Sequence, residues 1–225
     1  MAPPRPSPDR CRVVLVLPGE LDAARAPEAV ESALQGGDVA SVIIPPHEMG
    51  ERAYGDHLKV LVPLIQARGV AALAVRDTRL AARVSADGVH LSGDPEEIED
   101  VMERVGRRMT IGTETPLSRD RALEIGDLEP DYVMMGRIGG DTHDEPHGKA
   151  LDLAEWWADM IEIPAIAMAG ADLDGTLACA ETGAEFVGLS RAVFADPGRA
   201  REMVSRANTM LDLNAPSFAA GGGVR

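Results

Sequence analysis

Eight short apolar runs separated by amphipathic stretches constrain this 225-residue chain more than any other feature. The runs cover residues 12–17, 39–44, 70–75, 88–91, 109–111, 132–135, 163–168 and 186–189. A strand buried on both faces reads as a continuous apolar run, and a parallel neighbour needs a crossover of a dozen or more residues, usually a helix. Eight strand–helix repeats therefore predict an α/β chain folded as a single (β/α)8 TIM barrel. The barrel is expected over residues 11–213, with mobile tails at 1–10, rich in Pro, and 214–225, which contains Gly221, Gly222 and Gly223.

Helices are expected over residues 21–34, 56–67, 78–84, 95–104, 118–125, 151–160, 173–182 and 197–211. Asp94-Pro95-Glu96-Glu97 carries a capping residue, a first-turn Pro and acidic residues in the order a helix start favours, and Asp196-Pro197 repeats it. The longest irregular stretch, residues 136–149, lies between the sixth strand and its helix. Loops of that length in a compact domain serve as lids or binding loops, or as plain surface connections.

Composition narrows the partners. Asp and Glu number 37 against 22 Lys and Arg, a formal net charge of −15, which disfavours nucleic acid and anionic membranes. A small phosphorylated molecule remains compatible, since a local basic pocket can oppose the global field, and a homodimer is left open. Cys11 and Cys179 lie in or beside apolar segments, as buried free thiols of a reducing compartment do. No run reaches about 20 apolar residues and the first ten have no apolar core, so a cytoplasmic protein is expected.

In a barrel of this kind the chemistry sits where the strands end. Asp77 follows the third run and Asp87 opens the fourth, and neighbouring strands would bring both to one ligand. Two carboxylates there could hold Mg2+ with waters and a substrate phosphate; equally, Asp77 could cap a helix and Asp87 belong to a turn. Gly170 after strand seven, and Ser190 and Arg191 after strand eight, occupy the usual phosphate position, or else a Gly turn and a helix cap. His90, near the end of strand four, faces the barrel mouth or packs in the core. His143 and His147 bracket Pro146, which works against a helical metal motif.

Ala86-Asp87-Gly88-Val89-His90-Leu91, Asp131-Tyr132-Val133-Met134-Met135-Gly136 and the segment from Ile163 to Gly170 resemble strands four, six and seven of the thiamine-phosphate synthase and thiazole tautomerase superfamily. The resemblance implies a transferase of thiamine biosynthesis that joins a hydroxymethylpyrimidine diphosphate to a thiazole phosphate. It implies Mg2+ on Asp77 and Asp87, and phosphate held near Gly170, Ser190 and Arg191. The chain departs from the family pattern at several places. Ile43-Ile44-Pro45-Pro46-His47 replaces Gln-x-Arg-x-Lys, Arg76 an Asn, Gly93 a Gln, Glu114 a Ser, and Asp141-Thr142-His143-Asp144 replaces Thr-x-Thr-Lys. Each lost donor would cost about 2–4 kcal/mol of transition-state stabilisation; Arg76, Arg137 and Lys149 are the candidates to restore charge. The implied alternatives are a paralogue acting on another phosphorylated molecule and a non-catalytic binding protein.

Overall fold

The apolar runs do become parallel strands, and they close on themselves. The computed structural model describes residues 9–218, and within them the strand order is β1 to β8 in sequence, with β8 pairing back to β1. The strands are β1 Arg12–Val16, β2 Ser41–Ile44, β3 Ala71–Val75, β4 Gly88–Leu91, β5 Thr110–Thr115, β6 Tyr132–Met135, β7 Ala165–Met168 and β8 Phe186–Leu189. This is a (β/α)8 TIM barrel.

Helices α1 Ala26–Leu34, α2 Glu51–Gln66, α3 Thr78–Val84, α4 Pro95–Val105, α5 Arg119–Gly126, α6 Gly148–Met160 and α7 Gly175–Glu181 follow strands one to seven. After β8 the chain forms a one-turn helix, α8 Arg191–Phe194, and then α9 Ala200–Asn214. The single helix expected over 197–211 is thus a short 3-10 turn at Pro197–Arg199 followed by α9. Asp196 accepts from the Gly198 N–H at 3.1 Å and so starts that turn. Helix α1 begins later than expected because its first turn must wait for Pro27 near the start.

Two apolar layers result. Val14, Val16, Ile43, Leu73, Val75, Met134, Ile166 and Met168 fill the barrel interior, while a larger set packs between strands and helices. With few aromatics to fill it, the interior makes room for a large ring: the Tyr132 side chain lies across Gly112 of the neighbouring strand, where a Cβ would overlap it.

The ordered body is slightly longer than expected. Arg10 is buried, donates to Asp212 Oδ1 at 2.7 Å and to Asn208 Oδ1 at 3.0 Å, and bridges to Ser217. Asp9 and Arg10, expected to be tail, are therefore tied to α9 and to Ser217, and Asn214 ends α9; residues 1–8 and 219–225 of the expected tails lie outside the described residues. Among the described residues, no helix is long and apolar enough to cross a membrane.

Candidate active site

A cavity of about 830 Å³ opens at the carboxyl rim of β5 to β7. Its walls include Glu114 and Leu117 from β5 and the turn after it, Met135 and Arg137 from the end of β6, and Met168 and Gly170 from β7. The 136–147 segment forms its outer side, so this irregular stretch is part of the site.

The expected metal pair does not assemble. Asp77 is at the carboxyl end of β3, where its Oδ1 accepts the Arg79 and Leu80 N–H groups at 3.0 and 2.8 Å and caps α3. Asp87 is at the other end of the barrel. Its Oδ2 accepts the Ala72 N–H at 2.8 Å, beside the first residues of β3. The length of β3, about 13 Å at 3.3 Å per residue, separates the two positions, whereas ligands of one Mg2+ each sit about 2.0–2.1 Å from it. Asp87 belongs instead to a repeated device. Asp131, before β6, accepts the Ile111 N–H of β5 at 2.7 Å, and Glu185, before β8, accepts the Ala165 N–H of β7 at 2.9 Å. Before β4, β6 and β8 the acidic residue thus accepts an N–H near the start of the preceding odd-numbered strand. Among the described residues, no group of three or more His, Cys, Asp or Glu could hold a metal ion.

The expected phosphate residues do converge on the rim, but the loop after β6 has reached them first. A Cβ on Gly170 would overlap the Asp144 carbonyl, so glycine here admits the loop backbone. The Ala171 N–H donates to the His143 carbonyl at 2.7 Å, and the Asp172 N–H to the Asp144 carbonyl at 3.3 Å. Asp141, 3 % exposed, accepts the Arg191 N–H on Oδ2 and the Arg191 guanidinium on Oδ1, both at 2.8 Å. Arg191 also pairs with Glu20. The Arg191 guanidinium, hydrogen-bonded first to Glu20, holds the Glu20 carboxyl below its ordinary range. The Ser190 hydroxyl is buried beside this cluster and makes no hydrogen bond among the described residues.

Of the other cations, only Arg137 lines the cavity. Arg76, in a left-handed turn at φ 66°, donates to Ser92 Oγ at 2.9 Å on the rim. Lys149 is exposed in the first turn of α6, between the lining residues His147 and Ala150. His47 turns back to the Leu17 carbonyl at 2.8 Å, so the Pro45-Pro46-His47 segment closes over the end of β1.

His90 takes the core alternative and does not line the cavity. It is fully buried, and its Nδ1 lies 3.0 Å from the Tyr132 hydroxyl. Its Nε2 has no hydrogen-bond partner among the described residues and points toward Glu114, 3.9 Å from Oε2. Burial, then the nearby Asp131 charge, pushes the Tyr132 hydroxyl well above its ordinary range, so it stays protonated. Glu114 and Asp141 were not among the expected site residues. The first is read as a departure until β5 is seen to run to Thr115, two turns of side-chain alternation beyond its apolar part.

The chain matches the family model described as thiamine monophosphate synthase over residues 13–193. It is 33% identical to a thiamine-phosphate synthase of Erythrobacter litoralis, over 77% of this chain and 84% of that one. It is 29% identical to the thiamine-phosphate synthase of Rhodospirillum centenum, over 89% and 98% of the two chains. Among solved structures, a thiamine phosphate pyrophosphorylase from Pyrococcus furiosus has the same fold, with a TM-score of 0.75 and 20% identity over 91% of this chain and 97% of that one. On the extent of these matches, this chain belongs to the thiamine monophosphate synthase family.

Proposed function

We propose that this protein is a thiamine-phosphate synthase, joining a hydroxymethylpyrimidine diphosphate to a thiazole phosphate with release of pyrophosphate in the cytoplasm. The observation that carries the reading is the family match together with a cavity of about 830 Å³ at the carboxyl rim, where barrels of this kind perform chemistry. That volume suits a ligand of drug size or larger. Arg137, His143 and His147 on the cavity's outer side are the groups available to an anionic substrate end. Gly170, Ser190 and Arg191 would take a phosphate once Asp141 and its loop withdraw. The test is formation of thiamine phosphate and pyrophosphate from the two precursors, run with and without Mg2+. Product no greater than in the enzyme-free control refutes the reading.

A second reading has its own support. The Asp141 carboxylate seated on Arg191, and the absence of cationic side chains from Pro45-Pro46, favour a paralogue acting on a different small phosphorylated molecule. A thermal-shift screen of phosphate esters separates the two: stabilisation by other esters, with none by the pyrimidine diphosphate, supports the paralogue.

A further inference from the structure

Two neighbouring parts of the outer helical ring carry opposite charge. A groove of about 530 Å³ runs between α2 and α3, with the buried Gly55 and Leu80 at its floor and Arg52, Lys59 and Arg83 among its walls. Arg79 stands one turn before Arg83 on α3, and both are exposed. Glu51 and Asp56 also line the groove, but Asp56 is taken by Lys59 at 2.7 Å. Arg52, Arg79 and Arg83 form no ion pair among the described residues, which leaves a local positive excess on a chain of net charge −15. Helix α4 is the reverse. Glu96, Glu99, Asp100 and Glu103 recur at three- and four-residue steps and form one exposed ridge, while Ile98 and Val105 are buried. Arg104 is the one cation of α4 and lies in its last turn. None of the four carboxylates forms an ion pair among the described residues, although the basic α3 is the preceding helix of the barrel.

We propose that the chain forms a twofold homodimer in which the carboxylate ridge of α4 seats in the α2–α3 groove of a second copy, and the reverse. Two stripes of opposite sign and matching helical spacing, on adjacent helices of one chain, are self-complementary: a twofold axis over α3 carries each stripe onto its counterpart. A different acidic partner would satisfy the groove and leave α4 unmatched, whereas a second copy satisfies both. Ala82, exposed on α3 between Arg79 and Arg83, lets α3 come close to its copy at the axis. The two copies repel through their like net charge, but at physiological salt that field is screened beyond about 8 Å, so the contact pairs decide. Exposed pairs are individually weak, which makes the dimer salt-dependent. None of these charged residues lines the cavity at the rim of β5 to β7, so the dimer leaves its mouth open.

The test is sedimentation of the full chain against protein and salt concentration. The wild type should be dimeric at about 100 µM in low salt, and raising chloride from about 50 to about 500 mM should weaken association at least about 10-fold. One variant, Arg79→Glu with Arg83→Glu, makes both faces acidic. Another, Glu96→Lys with Asp100→Lys and Glu103→Lys, makes both basic. Each alone should associate at least about 100-fold more weakly than the wild type, since like charges then meet. An equimolar mixture should recover dimers, because every acidic helix again meets a basic one. All five positions are exposed, and circular dichroism checks that the variants fold; if one does not, the salt response of the wild type decides. A wild type that stays monomeric in low salt assigns the groove to a different acidic partner and overturns the inference. So does a dimer indifferent to salt, and so do folded variants that dimerise alone or fail to recover when mixed.

Discussion

Asp141→Ala separates a structural carboxylate from one that holds the place of a ligand anion. In the wild type this side chain is fully buried and accepts two hydrogen bonds from Arg191, at the backbone N–H and the guanidinium. Charge-assisted bonds are worth about 1.5–3 kcal/mol each, and breaking a buried ion pair costs about 3–5 kcal/mol. The Arg191 side chain is 27% exposed and keeps Glu20, so water and that partner recover part of the loss. The net cost should be about 2–4 kcal/mol. For a domain of this size that lowers Tm by roughly 5–15 °C, at about 2–4 °C per kcal/mol. Inorganic phosphate then discriminates. In the variant it can take the vacated donors, and at about 100 times its Kd it restores about 2.7 kcal/mol. In the wild type it must first displace Asp141, so the response should be much smaller. Thermal unfolding by circular dichroism, with phosphate matched against chloride at equal ionic strength, measures both. An equal phosphate shift in the two proteins, or a variant as stable as the wild type, refutes the argument.

Other changes test the remaining assignments. Asp87→Asn should cost about 1 kcal/mol of stability through the weakened bond to Ala72 and leave ligand binding at the opposite rim unchanged by calorimetry. Gly112→Ala should destabilise by about 1–3 kcal/mol in urea unfolding, because the new methyl meets the Tyr132 ring. Burial pushes the Cys11 and Cys179 thiols up to about 12, with each other's proximity adding to the effect at Cys11. The native state then holds protons that the unfolded chain releases above about pH 9, so stability should fall from pH 9 toward 12. Cys11→Ala with Cys179→Ala should flatten that slope in urea titrations, and neither native thiol should react with a thiol reagent at neutral pH.

The fold was legible because one signal repeated eight times. Strands β4, β6 and β8 begin and end where their apolar runs do, since each is bounded by an acidic residue before and by glycine, serine or a polar turn after. The apolar run marks β5 short, because Thr113-Glu114-Thr115 continues the strand in polar residues, so the run alone does not place Glu114 on it. Mobile tails were read too long, because the partners that bury Arg10 lie about 200 positions away and leave no local trace.

The candidate site was less legible for a physical reason that Asp87 makes concrete. A motif such as Ala-Asp-Gly before a strand stands out in sequence, but its aspartate satisfies an N–H of the neighbouring strand at the amino end, where stability rather than chemistry is set. The matching roles of Asp131 and Glu185 show that the demand comes from the amino end of the barrel, where an N–H in the first two residues of β3, β5 and β7 takes a carboxylate as its partner. The structure of the other rim rests on side chains that no spacing links: Glu114 from β5, His90 from β4, and Asp141 reaching Arg191 across 50 residues. Those contacts exist only once the barrel has brought the strand ends together. In this chain the residues easiest to recognise hold the scaffold, and the residues that distinguish its cavity are the ones that depart from the pattern.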